Sequence, residues 1–351
     1  MGKLAVYRYF SMMFLIIQIV LSIFTFTGLW GGSVSPAGNT AQAMLVYILP
    51  LLIAANVVML VYWLVRRKWI ISVLPLLTVI SCIPYIGTIY QLRSLPPEGD
   101  ALSGIKIATY NVAVFGRETS GFMAQDILSE MKKQHVDILC MQEYSDVSGD
   151  KKNSDSYKEY FPYMSMGNND MVVYSKYPIR GSKNIPFKQT NNSAMWVDIE
   201  VNGKTIRVFN VHLETTGFNR TMRNAAKMEQ QGLHVERNSL ISAIYNNYTL
   251  GMIIRAGQAV AVANERRNSP VPAIVCGDFN DVPYSYVYNT MLGDMTDGFK
   301  ECGSKWMSTY IGKKPVRIDY IFHDKSMHGI TYYKKDFTYS DHKPVFMKIA
   351  L

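Results

Sequence analysis

The feature that most constrains this chain is the absence of charge over most of its first 92 residues. No charged side chain occurs in residues 9–65 or in residues 69–92. Glycine, serine and proline in segment 31–39 interrupt the first stretch and divide it into two. Each resulting piece has about the 20 residues that a helix needs to cross a bilayer. The sequence therefore predicts a membrane anchor over 1–92, with transmembrane helices near 9–30, 43–65 and 69–92.

The basic residues around these spans predict their orientation. Lys3 and Arg8 precede the first span, and the Arg-Arg-Lys run at 66–68 separates the second span from the third. Because cytoplasmic flanks are enriched in basic residues, both clusters are expected in the cytoplasm. Arg93 follows the third span and opposes this orientation, but one charge does not outweigh five. Three spans then place the rest of the chain in the periplasm or outside the cell.

The charge balance differs between the anchor and the rest of the chain. All 27 acidic residues follow residue 95, whereas six of the 36 basic residues precede it. The net charge of +9 therefore leaves only +3, from 30 basic and 27 acidic residues, after residue 95. Most of the basic excess flanks membrane spans and does not indicate a nucleic-acid-binding surface. A linker at 93–103, which contains two prolines, reaches about 35 Å when extended and keeps the domain at 104–351 near the bilayer.

The domain at 104–351 mixes strand-like and helical patterns. The Asn202-Gly203 pair between two alternating runs is a strong hairpin signal. Helical patterns cover 123–134 and about 220–265. The predicted strands are 105–112, 136–142, 171–175, 194–201, 205–213, 271–277, 316–322 and 344–349. This mixture predicts an α/β or α+β fold with two stacked sheets.

Short polar clusters lie at the ends of these strands, where α/β folds tend to place active sites. In chain order the clusters are Thr109-Tyr110-Asn111, Gln142-Glu143, Asn210-Val211-His212-Leu213, Gly277-Asp278-Phe279-Asn280, Arg317-Ile318-Asp319-Tyr320-Ile321 and Ser340-Asp341-His342-Lys343-Pro344. Taken singly, none is specific, because an Asp-x-Asn in a loop is usually a turn. Together and in this order, they resemble the endonuclease/exonuclease/phosphatase superfamily over about 104–351.

This resemblance implies a DNase I-like four-layer α/β sandwich, with two packed mixed sheets flanked by helices, here preceded by three transmembrane helices. It also implies metal-dependent hydrolysis of a phosphoester by in-line attack of water. Asn111 and Glu143 are expected to bind the metal, and Asp341 to bind it directly or through water. Mg²⁺, with Mn²⁺ as the alternative, fits these hard oxygen ligands, and no Cys/His cluster indicates zinc.

The resemblance also assigns the residues that act on the phosphoester. Asp278 is expected to orient or deprotonate the attacking water, and Asn280 to hold a phosphate oxygen. His342 is expected to contact the phosphate as a donor or general acid/base, with its tautomer set by Asp319. His212 provides the second imidazole at the phosphoryl group. Two histidines beside carboxylates are expected to titrate as a coupled system.

The sequence leaves three functions open: two enzymatic activities, which differ in substrate class, and non-catalytic binding. Histidine at position 212, where abasic-site endonucleases of the exonuclease III type usually have asparagine, argues against abasic-site repair. A phosphodiesterase acting on a lipid or head group fits the short tether and the charge of +3. A surface nuclease that degrades external nucleic acid fits the fold equally well. A non-catalytic binding module is less favoured, because every expected polar cluster is present.

The segment 215–250 looks like an insertion between the His212 strand and the helix that leads to Gly277. It contains several apolar residues at helical spacing. We predict that it forms a helical lid or a membrane-facing element, because it directly follows a strand that carries a site residue. The alternative is an ordinary helix that covers the sheet.

Overall fold

The fold is taken from a computed structural model, which describes residues 3–94, 103–113, 124–144, 157–168, 171–188, 190, 192–311 and 315–351. The chain divides into two compact units. The first comprises Met1–Thr88 and Val282–Asn289, and the second comprises Ile89–Asp281 and Thr290–Leu351. Most of the predicted linker at 93–103 lies outside the described residues.

The first unit contains the apolar helices. They are α1 (Lys3–Gly31), α2 (Thr40–Val65), α3 (Trp69–Ser81) and the short α4 (Ile83–Ile86). Among the described residues, three helical stretches are long and apolar enough to cross a membrane: Tyr7–Gly31, Thr40–Val65 and Trp69–Ile86. The third ends before the predicted residue 92, because the chain turns at Gly87 and then forms the short strand β1 (Tyr90–Gln91).

Five buried polar side chains join α1, α2 and α3, and we name them the interhelical polar cluster: Gln18, Ser22, Thr25, Asn56 and Thr78. Gln18 Nε2 donates to Ser22 Oγ at 2.8 Å and to Asn56 Oδ1 at 2.9 Å. Asn56 Nδ2 donates to Thr25 Oγ1 at 2.9 Å. Thr78 Oγ1 donates to Ser22 Oγ at 3.0 Å. Because a buried polar group without a partner is costly, these bonds favour one arrangement of the three helices.

In the described residues, the second unit contains two six-stranded mixed sheets. Sheet one contains, in spatial order, β10 (Thr296–Asp297), β12 (Asp319–His323), β9 (Ala273–Asp278), β8 (Lys204–His212), β7 (Ser193–Val201) and β6 (Ile179–Pro186). Sheet two contains β13 (His328–Lys334), β14 (Val345–Ala350), β2 (Ile105–Asn111), β3 (Ile138–Gln142), β5 (Val172–Ser175) and β4 (Tyr163–Met166). Strand β1 pairs with β11 (Lys305–Trp306). Within the described residues, the other helices are α5 (Ala124–Lys133), α6 (Phe218–Gln230), α7 (Arg237–Arg267), α8 (Tyr286–Leu292) and α9 (Gly298–Cys302).

Both sheets have a parallel pair of strands at the centre. These pairs are β2 with β3 and β8 with β9, and the neighbouring strands are antiparallel. Side chains from the two sheets share one hydrophobic core, which includes Ile107 and Cys140 of sheet two and Val208 and Cys276 of sheet one. A second core lies where α5 covers sheet two, with Met131 fully buried. Two packed mixed sheets flanked by helices confirm the predicted α/β sandwich.

The eight predicted strands are present, and their ends differ from the prediction by at most three residues. The sequence did not predict β4, β6 or β13, which lie at sheet edges. Edge strands are more polar and alternate less clearly, as the pattern of β6 illustrates. The predicted helical region at about 220–265 consists of α6 and α7, which a turn with Gly232 at φ 77° separates.

Candidate functional site

The predicted polar clusters meet at one edge of the two packed sheets. Asn111 ends β2 and is paired with Gln142 at the end of β3. His212 ends β8 and is paired with Asp278 at the end of β9. Because the strands of each pair are parallel, their carboxyl ends lie side by side. Asp319, the first residue of β12, lies opposite Asp278 in the antiparallel register.

Asn111 connects the carboxylates of the two sheets. Its Nδ2 atom donates to Glu143 Oε1 at 3.0 Å and to Asp278 Oδ2 at 3.1 Å. His212 Nε2 lies 3.7 Å and 3.9 Å from the same two oxygens. Asn111, His212 and Asp278 are buried, whereas the Glu143 side chain is 34% exposed. The two carboxylates therefore converge in a buried site that solvent reaches beside Glu143.

The backbone around the site has unusual conformations. Glu143 and Asn280 both have φ of 51°. Asparagine tolerates this left-handed region, but glutamate adopts it rarely. Gly277 has φ of 137°, and a Cβ there would collide with the Val211 carbonyl group, so glycine is required. Strain of this kind is found most often at functional sites, where the surrounding fold holds it in place.

His342 is held by two buried carboxylates. Its Nδ1 atom lies 3.0 Å and 3.2 Å from the carboxylate oxygens of Asp319, and its Nε2 atom lies 3.6 Å from Asp278 Oδ2. Burial alone would lower the pKa of His342, but the charges of Asp319 and Asp278 outweigh it and raise the pKa to about 10. The imidazole is therefore a cation at neutral pH, with Asp319 fixing its orientation.

Asp278 and His212 respond to burial in opposite directions. Burial raises the pKa of Asp278 to about 7, with the cation of His342 opposing this rise and the charge of Asp319 adding to it. Burial lowers the pKa of His212, which keeps this imidazole neutral. Among the described residues, neither ring nitrogen of His212 has a hydrogen-bond partner. A buried imidazole with both nitrogens unpaired is rare outside sites that bind a ligand.

The donor atoms fit a hard divalent cation. In the described part of the chain, no lysine or arginine pairs with Glu143, Asp278 or Asp319. Carboxylate oxygens of Asp278 and Asp319 lie within 4.8 Å of each other and of a His342 ring nitrogen, which offers no lone pair to a cation while the ring is protonated. Asn111 Oδ1 accepts from the Ala113 amide at 3.0 Å and keeps a second lone pair. The carboxylate oxygens of Glu143 and Asp278 converge beside Asn111, and hard oxygen ligands of this kind are the ones that Mg²⁺ prefers.

A sequence profile of the Endonuclease/Exonuclease/phosphatase family matches residues 108–342, which is more than half of the chain. The chain belongs to this family. Family members are hydrolases that act on phosphoester bonds, and they commonly depend on divalent metals. A second profile, of a domain of unknown function, matches residues 11–89. A search of curated proteins finds no match.

Solved structures with the same fold come from bacteria and from humans. The structure of an endonuclease/exonuclease/phosphatase from Beutenbergia cavernae is 17% identical, with a TM-score of 0.52, covering 71% of this chain and 72% of that one. A Bacteroides vulgatus endonuclease/exonuclease/phosphatase is 16% identical, with a TM-score of 0.50 and coverage of 71% and 99%. The catalytic domain of human Nocturnin, with a bound sulfate anion, is 18% identical, with a TM-score of 0.50 and coverage of 70% and 94%. At these identities the likeness concerns the fold alone.

Two predicted residues of the family motifs lie at the margin of the site. Asn280 Nδ2 donates to the Leu213 carbonyl at 2.9 Å and to Asp278 Oδ2 at 3.3 Å. Asp341 is exposed, and within the described residues its carboxylate has no hydrogen-bond partner. Its charge is nevertheless close enough to contribute to the raised pKa of His342. The structure thus brings seven of the eight predicted residues together and leaves Asp341 beside them.

Sequence reasoning missed a buried arginine that connects the family's site loops. Arg255 of α7 is fully buried, and its Nε atom donates to Asp281 Oδ2 at 3.1 Å. Its Nη1 atom donates to the Glu214 carbonyl at 2.8 Å, and Gln258 Oε1 accepts from the Glu214 amide at 2.7 Å. Glu214 and Asp281 belong to the loops that follow β8 and β9. The sequence feature that could have identified this contact is the pair Arg255 and Gln258, which lie three residues apart on the buried face of α7.

Proposed function

We propose that this protein is a membrane-anchored phosphodiesterase that depends on a divalent metal and acts on a lipid or lipid head group. The observation that carries the proposal is the convergence of Glu143 and Asp278 on one nitrogen of Asn111, beside an unpaired His212. Membership of a family of phosphoester hydrolases supports it. Mg²⁺ is the proposed ion, with Mn²⁺ as the alternative.

In this proposal, Asn111 and Glu143 hold the cation, and Asp341 holds it directly or through water. A bound divalent cation would neutralise charge that develops on the phosphoryl oxygens. The partly exposed Glu143 lies where an ion and a substrate enter from solvent. Asn111 donates hydrogen bonds to both Glu143 and Asp278. The carboxylate that would bind the cation and the carboxylate that would accept the proton are therefore connected through one side chain.

Asp278 orients the attacking water or accepts a proton from it. A pKa of about 7 suits a base that works near neutral pH, because general base catalysis is most efficient when the pKa of the base lies near the working pH. The Asn280 amide donates to Asp278 Oδ1 at 2.8 Å and orients the carboxylate. The Asn280 side chain, an amide donor beside Asp278, holds a phosphate oxygen.

The two histidines contact the phosphoryl group in different charge states. His342 is positively charged and points Nε2 towards Asp278, so it can donate to a phosphoryl or leaving-group oxygen. Asp319 at Nδ1 fixes the tautomer and orientation of this ring. His212 is neutral and donates one hydrogen bond to the phosphoryl group. Donors that are already in place stabilise the charge of the transition state without reorganisation.

The first test is a substrate panel with the full-length protein in detergent. Mixed phospholipids, sphingomyelin, plasmid DNA and single-stranded DNA are each incubated with Mg²⁺, and product release is measured. Cleavage of lipid but not DNA supports the proposal. His342→Ala is the control, because loss of a general acid/base costs on the order of 10²–10⁴ in rate.

A surface nuclease that degrades external nucleic acid is the second candidate, because it uses the same site chemistry. Cleavage of DNA but not lipid in the panel would establish it. A non-catalytic binding module is the third. Failure to hydrolyse bis-p-nitrophenyl phosphate with Mg²⁺ or Mn²⁺, under conditions where the protein is folded, would favour that role.

We also propose the arrangement in the membrane. Residues 1–92 form the anchor with the N-terminus in the cytoplasm, 93–103 form the linker, and 104–351 form the catalytic domain outside the cytoplasm. The three apolar helices and the flanking basic residues support this topology. A membrane-impermeant maleimide should label Lys325→Cys in intact cells or spheroplasts. The same reagent should label Arg67→Cys only after lysis, and the opposite pattern would reverse the topology.

A further inference from the structure

Helices α6 and α7 form a hairpin, residues 218–250, that extends into solvent: of the side chains described between 221 and 250, only Ala225 is buried. α7 is 31 residues long, and from Gly251 to Ala263 one face is buried. Met252, Ala256 and Ala259 belong to this buried face. The first 14 residues of α7, 237–250, add about 21 Å of helix at 1.5 Å per residue.

The apolar face of α7 continues into the extending half, where it is no longer covered. At 100° per residue, Ile241 and Tyr245 lie on the same side of the helix as Met252, Ala256 and Ala259. Ile241 is 53% exposed and Tyr245 is 54% exposed, whereas the other three are at most 3% exposed. The same apolar stripe therefore passes from the interior to solvent within one helix.

Other exposed apolar side chains extend this surface along the hairpin. Met228 lies near the end of α6 and Leu233 lies at the turn, and both are exposed. Together with Ile241 and Tyr245 they form what we name the hairpin apolar surface. A group of exposed apolar side chains on one short segment indicates a surface that another phase or partner covers.

The charged residues of the hairpin favour a lipid surface as the occupant. Arg223, Lys227 and Arg237 are exposed beside the apolar residues. Residues 218–250 carry four basic and two acidic side chains, a net charge of +2. An apolar face bordered by lysine and arginine is the composition of helices that lie in the bilayer interface. The apolar N-terminal helices and the linker of at most about 35 Å keep such an interface within reach.

We propose that the hairpin apolar surface inserts into the interfacial region of the bilayer, with its basic residues against anionic lipid head groups. The inference rests on the proposed membrane anchoring but not on the proposed substrate. α7 also carries Arg255, which contacts the loops of the candidate site. Insertion would therefore orient the site towards lipid phosphoesters through a rigid helix.

The depth of the hairpin can be measured without turnover. The full chain carrying Ile241→Cys is labelled with the fluorophore NBD and reconstituted into vesicles of phosphatidylcholine and phosphatidylglycerol. Lipids with a nitroxide near the head group should quench this label strongly. Ser239→Cys is the matched control, because it lies two residues away on the opposite face of α7. Unsubstituted protein measures labelling of the native cysteines, three of which are buried.

Quenching at position 241 that exceeds quenching at position 239 severalfold supports insertion. Equal, weak quenching at both positions would overturn it. Disulfide cross-linking between two Ile241→Cys chains would also overturn it, because a second copy would then cover the surface. Quenching is independent of catalysis, so a protein that hydrolyses no lipid contradicts the proposed function while the hairpin result still stands.

A paired substitution tests the consequence for activity. I241S combined with Y245S should lower hydrolysis of lipid in vesicles roughly tenfold, because two apolar side chains no longer enter the interface. Hydrolysis of bis-p-nitrophenyl phosphate should be unchanged, since neither residue belongs to the site. With an unsubstituted protein that hydrolyses vesicle lipid, undiminished activity of the variant on vesicles, or an equal loss on both substrates, would contradict the proposal.

Discussion

This chain buries polar side chains in two places, and the two differ in charge and in hydrogen bonding. The interhelical polar cluster of the first unit contains neutral side chains joined at 2.8–3.0 Å. The candidate site of the second unit contains three carboxylates, two of which each accept a hydrogen bond from Asn111 Nδ2. Within the described residues, its His212 has no hydrogen-bond partner at either ring nitrogen.

The difference separates polar groups that hold a fold together from polar groups that carry out chemistry. Neutral, paired groups lower the free energy of one helix arrangement and need nothing further. Three carboxylates beside one imidazolium leave an excess of like charge, which raises the free energy of the folded state and persists only because the surrounding sheets hold it. Removing a polar side chain from the interhelical polar cluster should therefore lower stability. Removing a carboxylate from the candidate site should leave stability unchanged or raise it, and should lower activity.

The largest effect is expected from Asp278→Asn. Hydrolysis of bis-p-nitrophenyl phosphate should fall by on the order of 10²–10⁴, because the substitution removes the proposed base. The melting temperature in EDTA should stay the same or rise, because one buried like charge is removed. Full activity, or a large loss of stability in EDTA, would mean that Asp278 is a structural residue.

A buried pair of opposite charges sharpens the comparison. Arg317 donates to both oxygens of Asp297, at 2.8 Å and 2.6 Å, and both side chains are fully buried. Asp297→Asn should lower the free energy of unfolding by about 3–5 kcal/mol, because it leaves a buried guanidinium without a counter-charge. Urea unfolding measures this loss. Asp294→Asn is the control and should cost at most about 1 kcal/mol, because the Asp294 carboxylate that pairs with Arg266 is 75% exposed.

Metal binding should stabilise the second unit. At a Mg²⁺ concentration 100 times the dissociation constant, the free energy of unfolding should rise by about 2.7 kcal/mol over the value in EDTA. Glu143→Gln should abolish most of this gain, because a carboxylate ligand is lost. Thermal melting with and without Mg²⁺ measures both. A wild-type protein that melts at the same temperature in EDTA and Mg²⁺ would argue against a metal site.

The smallest effect is expected in the interhelical polar cluster. Asn56→Leu should weaken helix association by about 0.6–2 kcal/mol, because interhelical hydrogen bonds in membranes are worth about that much. Unfolding in mixed detergent and SDS measures the loss. Val57→Leu, at the neighbouring exposed position, is the control. Hydrolysis of the soluble substrate should be unchanged, and a loss there would link the cluster to the site.

Local patterns in the sequence were enough for several features of this protein. The uncharged runs predicted three helices long and apolar enough to cross a membrane. Apolar runs predicted the eight strands with clear patterns, because residues buried on a sheet impose their own periodicity. The order of the polar clusters predicted the family and the sandwich fold. Each of these features is encoded in short segments of the chain or in the order of those segments.

Only the tertiary structure decided which residues meet. The bond between Asn111 and Asp278 joins positions 167 residues apart and exists because the two sheets pack with their site edges together. Burial in that edge sets the opposite pKa shifts of Asp278 and His212, which no local pattern encodes. The role of Arg255 and the exposure of Ile241 likewise depend on where α7 leaves the sheet. Long-range packing, rather than residue type, determines these properties.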